Sequence, residues 1–442
     1  MRYHARRTAG PLRGEIRVPG DKSLSHRAVL FAAMARGTSR LSGVLDSADV
    51  WSTIGAVRAL GADAEVTAGE HGLTLVVTGW GAVGPTAPVG AIDCGNSGTT
   101  ARLLLGVLAG YDIHAVLTGD ASLSGRPMRR VTAPLAAAGA RVAPTQAGTL
   151  PVGIQGGGLT GLRHDLAVAS AQVKSALLLA ATRAVGTTTV CEPAPSRDHT
   201  ERLLPLFGVP VSRDADGCLS VTGPASLRAA DFDVPGDPSS AAFLVAAALL
   251  VPGSDVVLPN IALNPTRAGF LRVLTRMGAT IEVNLTEASA AGTTVEPTGT
   301  LCVRHGPELT GTTVTAEEVP ALIDEVPVLA VVAAVARGTT RFEGVGELRV
   351  KESDRLGAVV AALQALGASA DAADDTLVIH GPTIFSAAAL DSHGDHRLAM
   401  AYAVAGLASL GEVTIDRFEA IDVSYPGFPL DLDALLVGGA TG

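Results

Sequence analysis

The sequence predicts an α/β (α+β) protein of two domains, in which one strand–helix–strand–helix–strands unit occurs six times. Three observations carry this. The chain has 442 residues, too many for one ordinary core and suited to two domains. The tetrapeptide Val-Pro-Gly-Asp occurs at Val18 and again at Val234, each time opening an apolar helix. A finer repeat of apolar helix candidates runs the length of the chain.

The helices are "SHRAVLFAAMARG", "SGTTARLLLGVLAG", "SAQVKSALLLAATRAVG", "SSAAFLVAAALLVPG", "DEVPVLAVVAAVARG" and "DHRLAMAYAVAGLASLG". They begin at Ser25, Ser97, Ser170, Ser239, Asp324 and Asp395, in steps of 72, 73, 69, 85 and 71 residues. Each ends at or near Gly, which stops a helix, and most run on into β-prone stretches such as "TTTVCE", "TTRFEG" and "EVTIDRF". Five units carry a second helix, in "VRALGADAEV", "APLAAAGARV", "LLPLFGVPV", "LRVLTRMGATIEV" and "ALQALGASADA"; the sixth, "PLDLDALLVGGATG", is degenerate. Three units per domain follow. The long helices are apolar nearly all round, which means burial. Their polar residues gather at the N-terminal ends, where unpaired N–H groups and the helix dipole favour anions. Several such ends aimed at one cleft would hold phosphate or carboxylate.

Composition removes whole classes of function. Aromatic residues are 3% of the chain, too few for a base-stacking surface. A net charge of −10 argues against nucleic acid or an anionic membrane, though not against small anions, which respond to local charge. Cys94, Cys191, Cys218 and Cys302 match no zinc or redox spacing, so reduced, mostly buried thiols are expected. The start "MRYHARRTAG" has no apolar signal stretch, and no apolar run reaches the roughly 18 residues of a membrane span. A cytoplasmic location is expected.

Residues with chemistry sit at the helix starts. Lys22, Ser23 and Arg27 open the first helix, where basic residues oppose the dipole unless an anion is present; an exposed surface is the alternative. His26 reads as structural. In "GNSGTTARL", Gly98 permits close backbone approach, and a plain N-cap serves as well as a binding loop. "LSGRPM" places Arg126 in a loop. "SAQVKSALLL" brings Ser170, Gln172 and Lys174, as caps or ligands, and "SRDHTERL" brings Arg197, with Asp198 a cap. Asp324 and Glu325 head the fifth helix as ligands or as ordinary dipole partners. Read as helical, "RVKESDRL" sets Lys351 and Arg355 on one face with Glu352 three residues before Arg355; a surface ion-pair helix is the alternative. His396 and Arg397 open the sixth helix. No P-loop, dinucleotide fingerprint, metal-ligand cluster or nucleophile–base pair occurs. The set points to two anionic substrates held by Lys and Arg, with acid–base chemistry by carboxylates and a Lys.

"PGDKSLSHR", "GNSGTTARL", "LSGRPM", "SAQVKSAL", "VPGDPSSAAF", "ELRVKESDRL" and "GDHRLAMA" together resemble the 3-phosphoshikimate 1-carboxyvinyltransferase (5-enolpyruvylshikimate-3-phosphate, EPSP, synthase) family, in order from Pro19 to about Pro426. The resemblance implies an enolpyruvyl transferase-like fold of three βαβαββ units per domain, residues 21–234 against 1–20 plus 235–442, with the active site in the cleft between. It implies that Lys22, Ser23, Arg27, Ser170, Ala171, Gln172, Arg197, Asp324 and Lys351 hold shikimate 3-phosphate. Lys22, Gly98, Arg126, Gln172, Arg355 and Arg397 would hold phosphoenolpyruvate. Asp324, Glu352 and Lys22 are the implied catalytic residues. No cofactor or metal is implied, and a monomer is expected.

Three departures stand out. Ala171 takes the place of a family Ser, leaving one phosphate-binding hydroxyl absent and Lys174 as a substitute. Val423 stands where a branch of the family has Lys. Leu103 replaces a frequent Pro. Gly98 matches inhibitor-sensitive members, which makes glyphosate response a hypothesis. The sister family acting on UDP-N-acetylglucosamine resembles this fold but carries a reactive Cys near the position of Ala121. A non-catalytic anion-binding module is a rival from another class; it would not need Asp324 and Glu352. The second VPGD serves as an internal control: Pro238, Ser239, Ala242 and Phe243 replace Lys22, Ser23, His26 and Arg27. The turn and apolar helix therefore do not require those cations.

Overall fold

The computed structural model describes residues 1–8, 10–292 and 294–437. It divides into two compact units, Pro19–Val234 and Met1–Val18 with Pro235–Gly442. Both boundaries fall on the Val–Pro bond of a VPGD copy. The Gly of each copy is required by close packing. A Cβ on Gly20 would stand 1.9 Å from the carbonyl oxygen of Gly43, and one on Gly236 would stand 2.9 Å from Val18 Cγ2.

The fold is mixed α/β, as expected. Among the described residues, each unit contains three sheets. In every four-stranded sheet the first strand pairs parallel with the second, and the fourth lies antiparallel between the second and third. A parallel pair needs a long crossover, and the long helix supplies it. Thus Ile92–Asp93 and His114–Thr118 flank helix Gly98–Ala109. Two sheets borrow their first strand from a distant part of the chain. Phe232–Asp233 pairs with Thr38–Val44, and Arg13–Glu15 pairs with Asp255–Ala262. The last sheet has three strands, with Arg2–Ala5 where the others have their fourth.

The six long helices are α1 (Lys22–Met34), α2 (Gly98–Ala109), α3 (Ala171–Ala181), α4 (Pro238–Leu250), α5 (Val326–Val335) and α6 (His396–Ala408). Their all-round apolar character has the expected result. Residues 24–34, 238–249 and 326–334 are buried without interruption. The peripheral helix Ala48–Ala59 is only half-buried, with Val50, Ile54 and Val57 inside and Trp51 and Arg58 exposed. The degenerate sixth copy still forms helix Phe428–Val437, and residues 438–442 lie outside the described residues. Among the described residues no helix is long and apolar enough to cross a membrane.

Two expectations are corrected. Lys351 is not helical: Gly346–Val350 is a 3-10 turn, residues 351–353 bend, and Asp354 caps a helix that starts at Arg355. Ser353 and Asp354 favour a cap over helix interior, which explains the break. The thiols are not all reduced either, since Cys191 and Cys218 form a disulfide. Strands Gly186–Cys191 and Leu219–Gly223 pair antiparallel through Val190 and Leu219, so the next step sets the two cysteines opposite each other. Cross-strand pairing leaves no spacing signature, which is why the sequence does not reveal it.

Candidate functional site

In unit Pro19–Val234 the heads of α1, α2 and α3 are tied together by side chains. Asp21 caps α1 by accepting the Leu24 N–H at 2.8 Å. Lys22, in the first turn, forms an ion pair with Asp49 of helix Ala48–Ala59. Arg27 is buried. Its Nε donates to Thr200 Oγ1 at 2.8 Å, Nη1 to the Ser23 carbonyl at 2.9 Å and Nη2 to Ser175 Oγ of α3 at 2.8 Å. A buried chain of hydrogen bonds then joins α1 to α2. It runs from His26 Nδ1 to Thr53 Oγ1 (2.7 Å), to Thr100 Oγ1 (2.6 Å), to Ser97 Oγ (2.7 Å). Burial pushes the His26 imidazole down to about 3, against the raising influence of Asp49, so it is neutral and structural as expected.

Gln172 links α2 to α3. Its Oε1 accepts from Arg102 Nη1 at 2.6 Å and its Nε2 donates to Thr99 Oγ1 at 3.0 Å. Gly98 starts α2 beneath these groups. A Cβ there would stand 2.8 Å from Arg102 Nη1 and 3.5 Å from Arg126 Nη1. Arg126 donates to Asn96 Oδ1 at 2.7 Å, and Asn96 Nδ2 donates to Asp120 Oδ2 at 2.7 Å. Ser170 stands at the N-cap of α3 but makes no capping hydrogen bond, and Ala171 follows it. Arg197 lies half-buried in the coil before helix His199–Leu206. Lys174 is buried, with Nζ 2.7 Å from Glu192 and 2.9 Å from Glu201.

In the other unit the heads of α4, α5 and α6 are joined in the same way. Arg355 is fully buried and faces three carboxylates. Nε donates to Asp395 Oδ2 at 2.7 Å, Nη1 to Asp324 Oδ1 at 3.1 Å and Nη2 to Glu352 Oε2 at 2.5 Å. Burial alone would lower its pKa, but Asp395, Glu352 and Asp324 hold it well above its ordinary value. The surface ion-pair reading of this segment is therefore replaced by a buried one. Arg397 Nη1 donates to the Asp324 carbonyl at 3.3 Å, and its Nη2 lies 3.7 Å from Asp324 Oδ2. Lys351 Nζ lies 3.9 Å from Asp324 Oδ1. Asp324 thus has three cations around it. Glu325 accepts the Ser239 hydroxyl from the α4 head, and Arg267 donates to Ser239 Oγ at 2.9 Å and to Asp237 Oδ1 at 3.0 Å.

Side chains tie the helix heads together within each unit. Lys22, Ser23 and Arg27 share one cluster; Gly98, Arg126 and Gln172 share a second. Asp324, Lys351, Glu352, Arg355 and Arg397 share a third. Sequence reading missed Asp395, Arg102, Asp49 and Arg267. Asp395 had a signal, because it occupies the N-cap position that Asp21 and Asp237 hold in the VPGD copies. Arg102 had a weaker one, as a cation in the second turn of an apolar helix.

The family model described as EPSP synthase (3-phosphoshikimate 1-carboxyvinyltransferase) matches residues 7–432. The chain is 50% identical over 421 residues to the 3-phosphoshikimate 1-carboxyvinyltransferase of Halorhodospira halophila, covering 95% of this chain and 93% of that protein. It is 48% identical over 429 residues to that of Geobacillus kaustophilus, covering 96% and 98%. Among solved structures, EPSP synthase from Acinetobacter baumannii superposes with a TM-score of 0.87 at 38% identity, covering 98% of each chain. The enolpyruvyl transferase NikO from Streptomyces tendae shares the fold, with a TM-score of 0.77 at 21% identity over 98% of this chain and 97% of that one.

Proposed function

The chain belongs to the EPSP synthase family, and from that premise we propose which residues carry each part of the family's reaction. The enzyme is a 3-phosphoshikimate 1-carboxyvinyltransferase of the shikimate pathway. It transfers the enolpyruvyl group of phosphoenolpyruvate to the 5-hydroxyl of shikimate 3-phosphate, releasing phosphate.

Lys22, Ser23, Arg27, Ser170, Ala171, Gln172, Arg197, Asp324 and Lys351 hold shikimate 3-phosphate in this reading. Lys22, Gly98, Arg126, Gln172, Arg355 and Arg397 hold phosphoenolpyruvate. Two polyanions repel each other unless cations bring them together, and Arg and Lys at helix heads do this with fixed geometry. Asp324 accepts the proton of the 5-hydroxyl as its oxygen bonds to C2 of phosphoenolpyruvate. Glu352 gives a proton to C3, which completes a tetrahedral phospho-ketal. The C2–O bond to phosphate then breaks while C3 returns its proton to Glu352. Lys22 assists proton transfer and offsets charge. The enzyme acts in the cytoplasm as a monomer, with no cofactor in this scheme.

The observation that carries the reading is the placement of Asp324 and Glu352 on the two Nη atoms of one buried arginine. It puts two carboxylates of different exposure, 12% and 29% for the side chains, side by side. The test is phosphate release from phosphoenolpyruvate with shikimate 3-phosphate or UDP-N-acetylglucosamine supplied. Release with the first alone is expected. Release with the UDP-sugar alone would move the chain to the sister reaction, and release with neither would leave an anion-binding module.

A further inference from the structure

Lys174 belongs to no part of the reaction described so far, yet it is among the largest fully buried side chains. It sits in the second turn of α3, where a cation opposes the helix dipole. Its ammonium reaches three points on one stretch of chain. Nζ lies 2.7 Å from Glu192, donates to the Ser196 carbonyl at 3.3 Å, and lies 2.9 Å from Glu201. Residues 192–198 between the strand and helix His199–Leu206 form neither helix nor strand, so no ladder of backbone bonds holds them. Ser196 Oγ donates to Glu192, which closes the loop on itself. Arg197 follows the carbonyl that Lys174 holds. Arg213 lies 3.8 Å from Glu201, so two cations here face two carboxylates and the charge of Lys174 is balanced within the protein.

We propose that Lys174 is a positioning residue that clamps the 192–201 segment and so aims Arg197 at shikimate 3-phosphate, instead of replacing the hydroxyl absent at Ala171. This rests on the reading that Arg197 contacts that substrate. The test is calorimetric binding of shikimate 3-phosphate together with steady-state constants for both substrates, in Lys174→Met, Lys174→Arg, Arg197→Ala and the Met/Ala double variant. Lys174→Met is expected to weaken shikimate 3-phosphate binding about tenfold, to change the phosphoenolpyruvate KM less than about twofold, and to be restored by Lys174→Arg to within about threefold. The double variant is expected to bind no more weakly than Arg197→Ala, because two residues acting as one are not additive.

Unchanged binding in Lys174→Met with weakened binding in Arg197→Ala overturns the clamp and leaves the substrate reading standing. Unchanged binding in both overturns the Arg197 reading and the clamp with it. Equal losses for both substrates overturn the clamp in favour of general damage. If Lys174→Met does not fold, Glu192→Gln, which removes one carboxylate charge and keeps the Glu201 pair, must show the same selective loss or the proposal fails.

Discussion

Arg355 and Asp395 form a buried ion pair, with Nε 2.7 Å from Oδ2 and side chains 1% and 0% exposed. The same carboxylate caps α6 by accepting the Arg397 N–H at 3.0 Å and takes the Ser353 hydroxyl at 3.0 Å. One aspartate therefore sets the position of two of the three arginines assigned to phosphoenolpyruvate, Arg355 and Arg397, and of the bend that carries Glu352. Removing one member of such a pair leaves the other's charge buried with one partner fewer, which destabilises strongly. Asp395→Ala is expected to cost about 3–5 kcal/mol of stability, measured by urea unfolding. A loss under about 1 kcal/mol would mean that Asp324 and Glu352 suffice for Arg355.

Asp324→Asn and Glu352→Gln keep shape and remove charge. Both are expected to retain the fold by circular dichroism and to lose about 10²–10⁴-fold in kcat, the usual contribution of a positioned acid or base. Phosphate release under saturating substrates is the measurement. A rate within about threefold of wild type for either variant would remove that residue from proton transfer.

The parts of this architecture that repeat are the parts that sequence reveals. Six apolar helices at a near-constant step, each stopped near Gly and most followed by Thr and Val, identify the unit before any coordinate is known. The VPGD copies go further, because a motif stripped of Lys22 and Arg27 still opens a buried helix in α4. What sequence does not reveal is what each cation faces. Arg355 reads as a ligand of phosphoenolpyruvate, or else as half of a surface ion pair with Glu352 three positions before it, yet its guanidinium also binds Asp395, 40 residues away. Lys174 reads as a ligand for the same reason, since Glu192 and Glu201 carry no local mark of being its partners. Segment 351–354 misleads differently. Its spacing suits a helix, but Ser353 and Asp354 compete with the helix through their own side chains, and the cap wins.

Gly98→Ala is expected to fold normally, since Gly98 is not among the positive-φ glycines and alanine favours helix at this position. Its effect should fall on ligands. The added Cβ stands 2.8 Å from Arg102 Nη1, the atom that holds Gln172 at 2.6 Å, so that guanidinium must shift. The KM for phosphoenolpyruvate is expected to rise several-fold, and the inhibition constant of glyphosate against phosphoenolpyruvate to rise further. Equal inhibition constants in wild type and variant would rule out a role for Gly98 in discriminating the two.

His26 makes stability depend on pH, and the sign follows from its burial. Its folded pKa is about 3, because burial outweighs the charge of Asp49, while an unfolded histidine titrates near about 6.5. Between those values the unfolded chain binds a proton that the folded protein refuses, so stability is complete above about pH 6.5 and falls as the pH drops toward 3. From pH 7.5 to 5.0 this amounts to about 2 kcal/mol. Unfolding curves of wild type and His26→Gln across that range are the check. The variant loses the Thr53 hydrogen bond in its wild-type form and is expected to be less stable at pH 7.5, but its profile should be flatter by that amount. Parallel profiles would show that the imidazole is not held neutral, and the Thr53–Thr100–Ser97 chain would then need another account of how it is oriented.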